Sequence, residues 1–204
     1  MANVRTAWSV GQIFDSSRIG GKGFIELGNV PMPKLLATDY TIPYAMTAKA
    51  LVSNIQTTNK VYICPFTVMK KIIVTEMGMN SWGAVNATSH IGIYDITTTR
   101  KPYNLIYDSG EVSVNSTGLI YWSVSNLVLY PSLYWIAYVC NGASKINAVT
   151  TQAKPLALTL SDTAWTIGYY YDTSILPSDA SGLSFSELLI SSGGIPAIGF
   201  KWTE

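Results

Sequence analysis

Residues 133–139 read LYWIAYV and are apolar at both strand parities. Leu133, Trp135, Ala137 and Val139 fall on one face, and Tyr134, Ile136 and Tyr138 on the other. A strand with one face in water alternates apolar and polar side chains, whereas this one suits a place between a core and a covering partner. It lies in the longest greasy segment of the chain, LVLYPSLYWIAYVC (127–140), which Pro131 and Ser132 interrupt. That segment is too short to cross a bilayer as a helix, which takes about 20 residues. No membrane insertion is expected.

Short apolar or alternating runs of the same kind recur. KVYICPFTV, with Pro65 marking an edge or a bulge, is followed by KKIIVTEMGMN (70–80), SHIGIYDI (89–96), YNLIYDSGEV and GLIYWSVSNLVLY, and later by TAWTIGYYYD and IPAIGFKW. In SHIGIYDI, Ile91, Ile93 and Asp95 share one parity, and Gly92, Tyr94 and Ile96 the other. Turn formers separate the runs in TTTRKP, DSG, NSTG, YPS and NGAS. Residues 47–56, TAKALVSNIQ, have the look of a short helical turn, although Val52, Asn54 and Ile55 are mediocre helix formers. Seven or eight short punctuated strands predict an all-β fold, an antiparallel β-sandwich of jelly-roll type over residues 46–204. No stretch repeats at a fixed period, which argues against a solenoid or propeller.

Charged residues make up only 12% of the 204, about half the globular share of roughly 25%. Thirteen Lys and Arg stand against twelve Asp and Glu without a run of like charge, so no nucleic-acid partner is expected. Thirteen Tyr and six Trp must therefore be buried or presented to a partner. The N-terminus MANVRTAWSV has no continuous apolar stretch of the signal-peptide kind, and Cys64 and Cys140 both sit in apolar runs, as buried free thiols do.

Residues 1–45 differ from the rest. Gly20, Gly21, Gly23, Gly28, Pro31 and Pro33 defeat helix and long strand, yet Trp8, Ile13, Phe14, Phe24, Ile25 and Leu27 make the segment too apolar for a solvated linker. Such a segment orders by lying on something else, and those six side chains are the expected docking contacts of an N-terminal arm.

Catalytic and metal signatures are sparse. His90 is the single histidine, so one chain holds neither a histidine pair nor a His-rich metal site, and no G-x-S-x-G elbow accompanies it. RIGGKGF (18–24) lacks the P-loop register. Asp95, Asp108 and Glu111 invite comparison with a glycosidase pair. However, Asp108 precedes Ser109-Gly110, where its carboxylate caps a turn, and Asp95 ends a strand. No catalytic, cofactor or metal residue is assigned. The loop 97–104, TTTRKPYN, with Arg100, Lys101 and Tyr103, is the expected contact loop of a rigid scaffold.

NKVYICPFTV, SHIGIYDI, LIYDSGEVSVNSTGLIYWSVS, LVLYPSLYWIAYVCNG and GIPAIGFKW, taken together, resemble a β-sandwich module of bacteriophage virion proteins over roughly residues 47–204. The family pattern has Pro-Gly before Tyr-Trp, where this chain has Pro131-Ser132-Leu133. The resemblance implies a non-enzymatic fibre or adhesion-type structural protein of the virion, assembled in the host cytoplasm. It implies a homotrimer contacting other virion proteins and a host surface glycan or receptor. A capsid decoration (cement) protein is the nearest alternative, and a carbohydrate-active enzyme a remote one.

Overall fold

In a computed structural model, the structure describes residues 51–56, 58–82, 86–98, 101–149, 166–184, 186–189 and 195–203, all within one unit, Lys34–Glu204. The arm residues Trp8, Ile13, Phe14, Phe24, Ile25 and Leu27 lie outside the described residues, as does Arg100. The described chain is all-β, with two antiparallel sheets packed against each other as a β-sandwich.

The first sheet contains β1 (Leu51–Gln56), β3 (Ile72–Ser81), β7 (Gly118–Leu129), β9 (Ser144–Val149), β12 (Ile195–Pro196) and β13 (Ile198–Thr203). β3 lies between β13 and β7, since Met77 is opposite both Phe200 and Trp122. β9 pairs β1 along its length and meets β12 at Val149 and Ala148. The second sheet runs β11 (Ser186–Leu189), β10 (Thr166–Asp172), β2 (Lys60–Val68), β8 (Ser132–Cys140), β4 (Thr88–Ile96) and β5 (Pro102–Asp108), with β6 (Val112–Ser113) on β4.

The helical turn expected near residues 47–56 is replaced, over Leu51–Gln56, by strand β1. β9 supplies an antiparallel edge from Leu51↔Val149 to Gln56↔Ser144, and that tertiary pairing outweighs a weak local preference. β9 itself, SKINAV, follows the anticipated NGAS turn and was not among the expected strands. Pro65 is accommodated because Ile63 is the last β2 residue with a β10 partner. Beyond it, among the described residues, β2 is paired only by β8, so the N–H that Pro65 lacks has no ladder partner among them.

Alternate side chains of the second sheet point into the sandwich. Cys64 and Phe66 of β2, Ile91 and Ile93 of β4, and Ile136 and Tyr138 of β8 are all buried on that side. Phe66 meets Phe200 of the first sheet edge-to-face, with centroids 5.6 Å apart. Tyr138 Oη and Ser144 Oγ are 2.7 Å apart across the sandwich, and Trp122 Nε1 donates to Tyr107 Oη at 3.1 Å. Both cysteines are buried thiols outside any disulfide.

The opposite parity is buried as well. Val61, Ile63, Tyr94, Trp135, Ala137, Val139 and Tyr171 form a second apolar cluster with Ala180, and Ile96, Leu105, Leu176 and Leu183 pack on it. The covering layer expected for LYWIAYV is thus the chain's own segment, residues 173–184, which follows β10 and lies over the outer face of the sheet. Leu105 N donates to Ser178 O and Ala180 N to Tyr103 O, both at 2.9 Å, and Asn104 bridges to Asp179. Tyr94 Oη donates to Pro177 O at 2.9 Å. This strap gives the sheet a third layer and occupies part of the outer edge of β5.

Gly92 shows how closely the strap sits. A Cβ there would lie 2.7 Å from Leu176 Cδ1 and 2.8 Å from Leu105 Cδ1. Both neighbours are side-chain ends that can shift, so Gly92→Ala is expected to cost about 1–2 kcal/mol. Urea unfolding checks this: the midpoint falls, whereas Ile175→Ala, at an exposed strap position, leaves it within error.

Candidate functional site

The β4–β5 connection and the strap meet at one corner of the sandwich. Thr97 N donates to Lys101 O at 2.9 Å, and Lys101 N donates back to Thr97 Oγ1 at 3.2 Å, closing the loop on itself. Asp95 then holds the far side: Asn104 N donates to Oδ1 at 2.7 Å and Asn104 Nδ2 to Oδ2 at 3.2 Å. On the strap, Ser181 N donates to Asp179 Oδ1 at 2.8 Å. The Ser181 backbone N–H, and after it the Ser181 hydroxyl, hold the Asp179 carboxyl below the usual carboxylate range.

What this corner presents is Lys101, Tyr103 and, further along β5, Ile106, all exposed, with Ile175 exposed on the strap. The structure thus places Lys101 and Tyr103, two of the three loop residues expected as contacts, on a backbone held from both sides. Loops fixed in this way bind with little ordering cost.

At the other end of the β4–β5 pair, Asp108 Oδ1 accepts from Gly110 N at 2.9 Å and lies 3.1 Å from His90 Nδ1. Gly110 adopts φ of +66°, the left-handed conformation that its place in the turn requires. Ser109 Oγ accepts from Ile91 N and donates to Gly110 O. Its hydroxyl is committed to the turn and makes no hydrogen bond to His90, so these three residues do not form the relay a serine nucleophile needs. Among the described residues, no three His, Cys, Asp or Glu side chains are grouped to hold a metal ion, and no helix is long and apolar enough to cross a membrane.

A second exposed region lies on the first sheet and was not singled out by strand patterning. Trp82, just past β3, is 53% exposed, and Leu119 and Tyr121 of β7 are 54% and 63% exposed. Leu119 is opposite Asn80 and Tyr121 opposite Gly78, which puts both on the solvent face, the parity shared by Trp82. The Trp82 indole N–H donates to Asn147 Oδ1, which fixes the ring on that face. The sequence signal was present in GLIYWSVSNLVL, where both parities are apolar, but the side of the strand left uncovered is a tertiary property.

No protein-family model matches the chain, and comparison with the curated proteins finds no match.

Buried tyrosines tie the covered outer face to pH. Tyr171 lies beside Tyr94 in the outer cluster, and burial pushes its phenol up to about 12 from an ordinary 10. Burial raises Tyr94 and Tyr138 in the same direction. A folded pKa above the unfolded one favours the neutral phenol in the native state. That stability is complete below pH 10 and is lost as pH rises through 12, to the extent of about 3 kcal/mol for Tyr171. Thermal unfolding followed between pH 9 and about 12 should show the midpoint falling, and Tyr171→Phe should flatten the fall.

Proposed function

We propose that this chain is a non-enzymatic structural protein of a bacteriophage virion, a fibre or adhesion-type β-sandwich carried on the particle by its N-terminal arm. The observation that carries the reading is the corner built from Thr97, residues 101–104 and the strap. A loop braced by Asp95, Asn104 and the 178–180 backbone presents Lys101 and Tyr103 on a rigid sheet, as a display scaffold does. The strand motifs that resemble virion modules support it, and so does the low charge of the chain.

Two of the three acids weighed for glycan cleavage, Asp95 and Asp108, are engaged in turns and strand ends. Asp95 spends both oxygens on Asn104, and Asp108 caps the Gly110 turn. In this reading the apolar arm, residues 1–45, contacts other virion proteins through Trp8, Phe14, Phe24 and their neighbours. The Lys101–Tyr103 corner meets a host surface glycan or receptor.

Phage assembled with the chain lacking residues 1–40 test the reading. Purified particles are expected to lack the protein while the separated sandwich still folds by circular dichroism. Undiminished incorporation would remove the docking role of the arm, and immunogold labelling spread over the head instead of the tail would replace the fibre reading with a capsid decoration.

A further inference from the structure

Residues 141–143 link β8 in the second sheet to β9 in the first. Both ends of the link are fixed. Cys140 is opposite Ser89, and its carbonyl accepts from Asn59 N at 3.2 Å. Ser144 is opposite Gln56, and its Oγ lies 2.7 Å from Tyr138 Oη. Between these ends Asn141 is clamped to Thr88, the residue that opens β4. Asn141 N donates to Thr88 O at 3.1 Å, Thr88 N donates to Asn141 Oδ1 at 2.9 Å, and Asn141 Nδ2 donates to Thr88 Oγ1 at 2.9 Å. Backbone and side-chain amide of Asn141 are thus committed to the same neighbour.

The same residue carries a reactive sequence. Asn141-Gly142 is the one Asn-Gly step in the chain. In such a step the backbone nitrogen of the following residue attacks the asparagine Cγ, and glycine has no side chain to obstruct the approach. The bond from Gly142 N to Asn141 Cγ forms, the Cγ–Nδ2 bond breaks, and ammonia leaves with the proton of the Gly142 N–H. The product is a cyclic succinimide, which water then opens. Water adding at Cγ gives aspartate. Water adding at the former main-chain carbonyl of Asn141 gives isoaspartate, whose main chain is longer by a methylene. Ring closure turns the planar amide into a tetrahedral centre bonded to Gly142 N, a geometry that cannot keep both amide bonds to Thr88.

We propose that Asn141 is a self-modification site gated by its clamp to Thr88. The chain deamidates there, with water as the only co-reactant, when the Thr88 bonds open. The isoaspartyl product lengthens the link between the two sheets and removes the Nδ2 donor that held Thr88 Oγ1. The modification therefore records irreversibly how long this end of the β8–β4 seam has spent open. This inference does not rest on the virion reading.

Peptide mapping by mass spectrometry of the full chain, held in mildly alkaline buffer, tests it. The amide-to-acid mass gain at Asn141 is followed in the folded wild type, the urea-unfolded wild type, Thr88→Val and Thr88→Ser. Thr88→Val removes the Oγ1 acceptor at nearly constant shape, and Thr88→Ser keeps it. The folded wild type is expected to deamidate at Asn141 at least about tenfold more slowly than the unfolded chain. Thr88→Val should react about fivefold faster than the folded wild type, the worth of one hydrogen bond, with its circular dichroism unchanged, while Thr88→Ser stays near wild type. A folded wild type that reacts as fast as the unfolded chain would overturn the proposal. So would a folded Thr88→Val that deamidates no faster than Thr88→Ser. Hydrogen exchange of the Asn141 amide gives the opening equilibrium of the wild type without any variant. The deamidation rate must rise with that opening as urea is added below the unfolding transition, and a rate that stays flat while the amide opens would also overturn the gate.

Discussion

The second sheet is apolar on both faces, and the rest of the structure follows from having to cover it twice. Its inner face meets the first sheet through contacts such as Phe66 on Phe200. Its outer face, with Tyr94, Trp135, Ala137 and Val139, is covered by residues 173–184 of the same chain. Burying aromatic and aliphatic side chains is favourable by about 25 cal/mol per Å² of apolar surface, and an open sheet face of this composition would forfeit that contribution while exposing a large sticky patch. Gly92 is the local signature of the solution, because Leu176 occupies the space a side chain would take.

Covering that face also shapes the surface available for recognition. The strap is held by backbone bonds to the outer edge of β5, and those same bonds brace the β4–β5 loop that presents Lys101 and Tyr103. Polar side chains at this end serve the architecture: Asp95 secures Asn104, and Asp179 fixes the strap turn through Ser181. Among the described residues, nothing comparable covers Leu119 and Tyr121 on the first sheet. Among the described residues the two sheets thus differ, the second covered by residues 173–184 and the first with β7 paired by β3 alone.

Much of this was legible in residue patterning. The strands from Lys60 to Cys140 coincide with the apolar runs, because in a sandwich the period-two pattern and the turn formers act together. The double apolar parity of LYWIAYV suited a strand between a core and a covering partner, and the cover is a segment of the same chain. Its source was not legible, since residues 173–184, TSILPSDASGLS, have too few apolar positions to look like a layer; Leu176, Ala180 and Leu183 acquire that role only by landing on Gly92 and its neighbours. β1 was misread for the same class of reason. A six-residue segment with mixed propensity takes its conformation from the β9 edge it meets, which no local window contains. The loop 97–104 was singled out as a contact surface; Lys101 and Tyr103 are exposed, and the bracing beside them depends on pairs distant in sequence such as Asn104 with Asp179.

Residue-resolved hydrogen exchange of the folded chain tests the central claim most directly. If the strap is the permanent third layer of the second sheet, the Leu105 and Ala180 amides, bonded to Ser178 and Tyr103 carbonyls, exchange nearly as slowly as the amides of β8. Exchange of those two amides at the rate of open loops, with β8 still protected, would contradict the account.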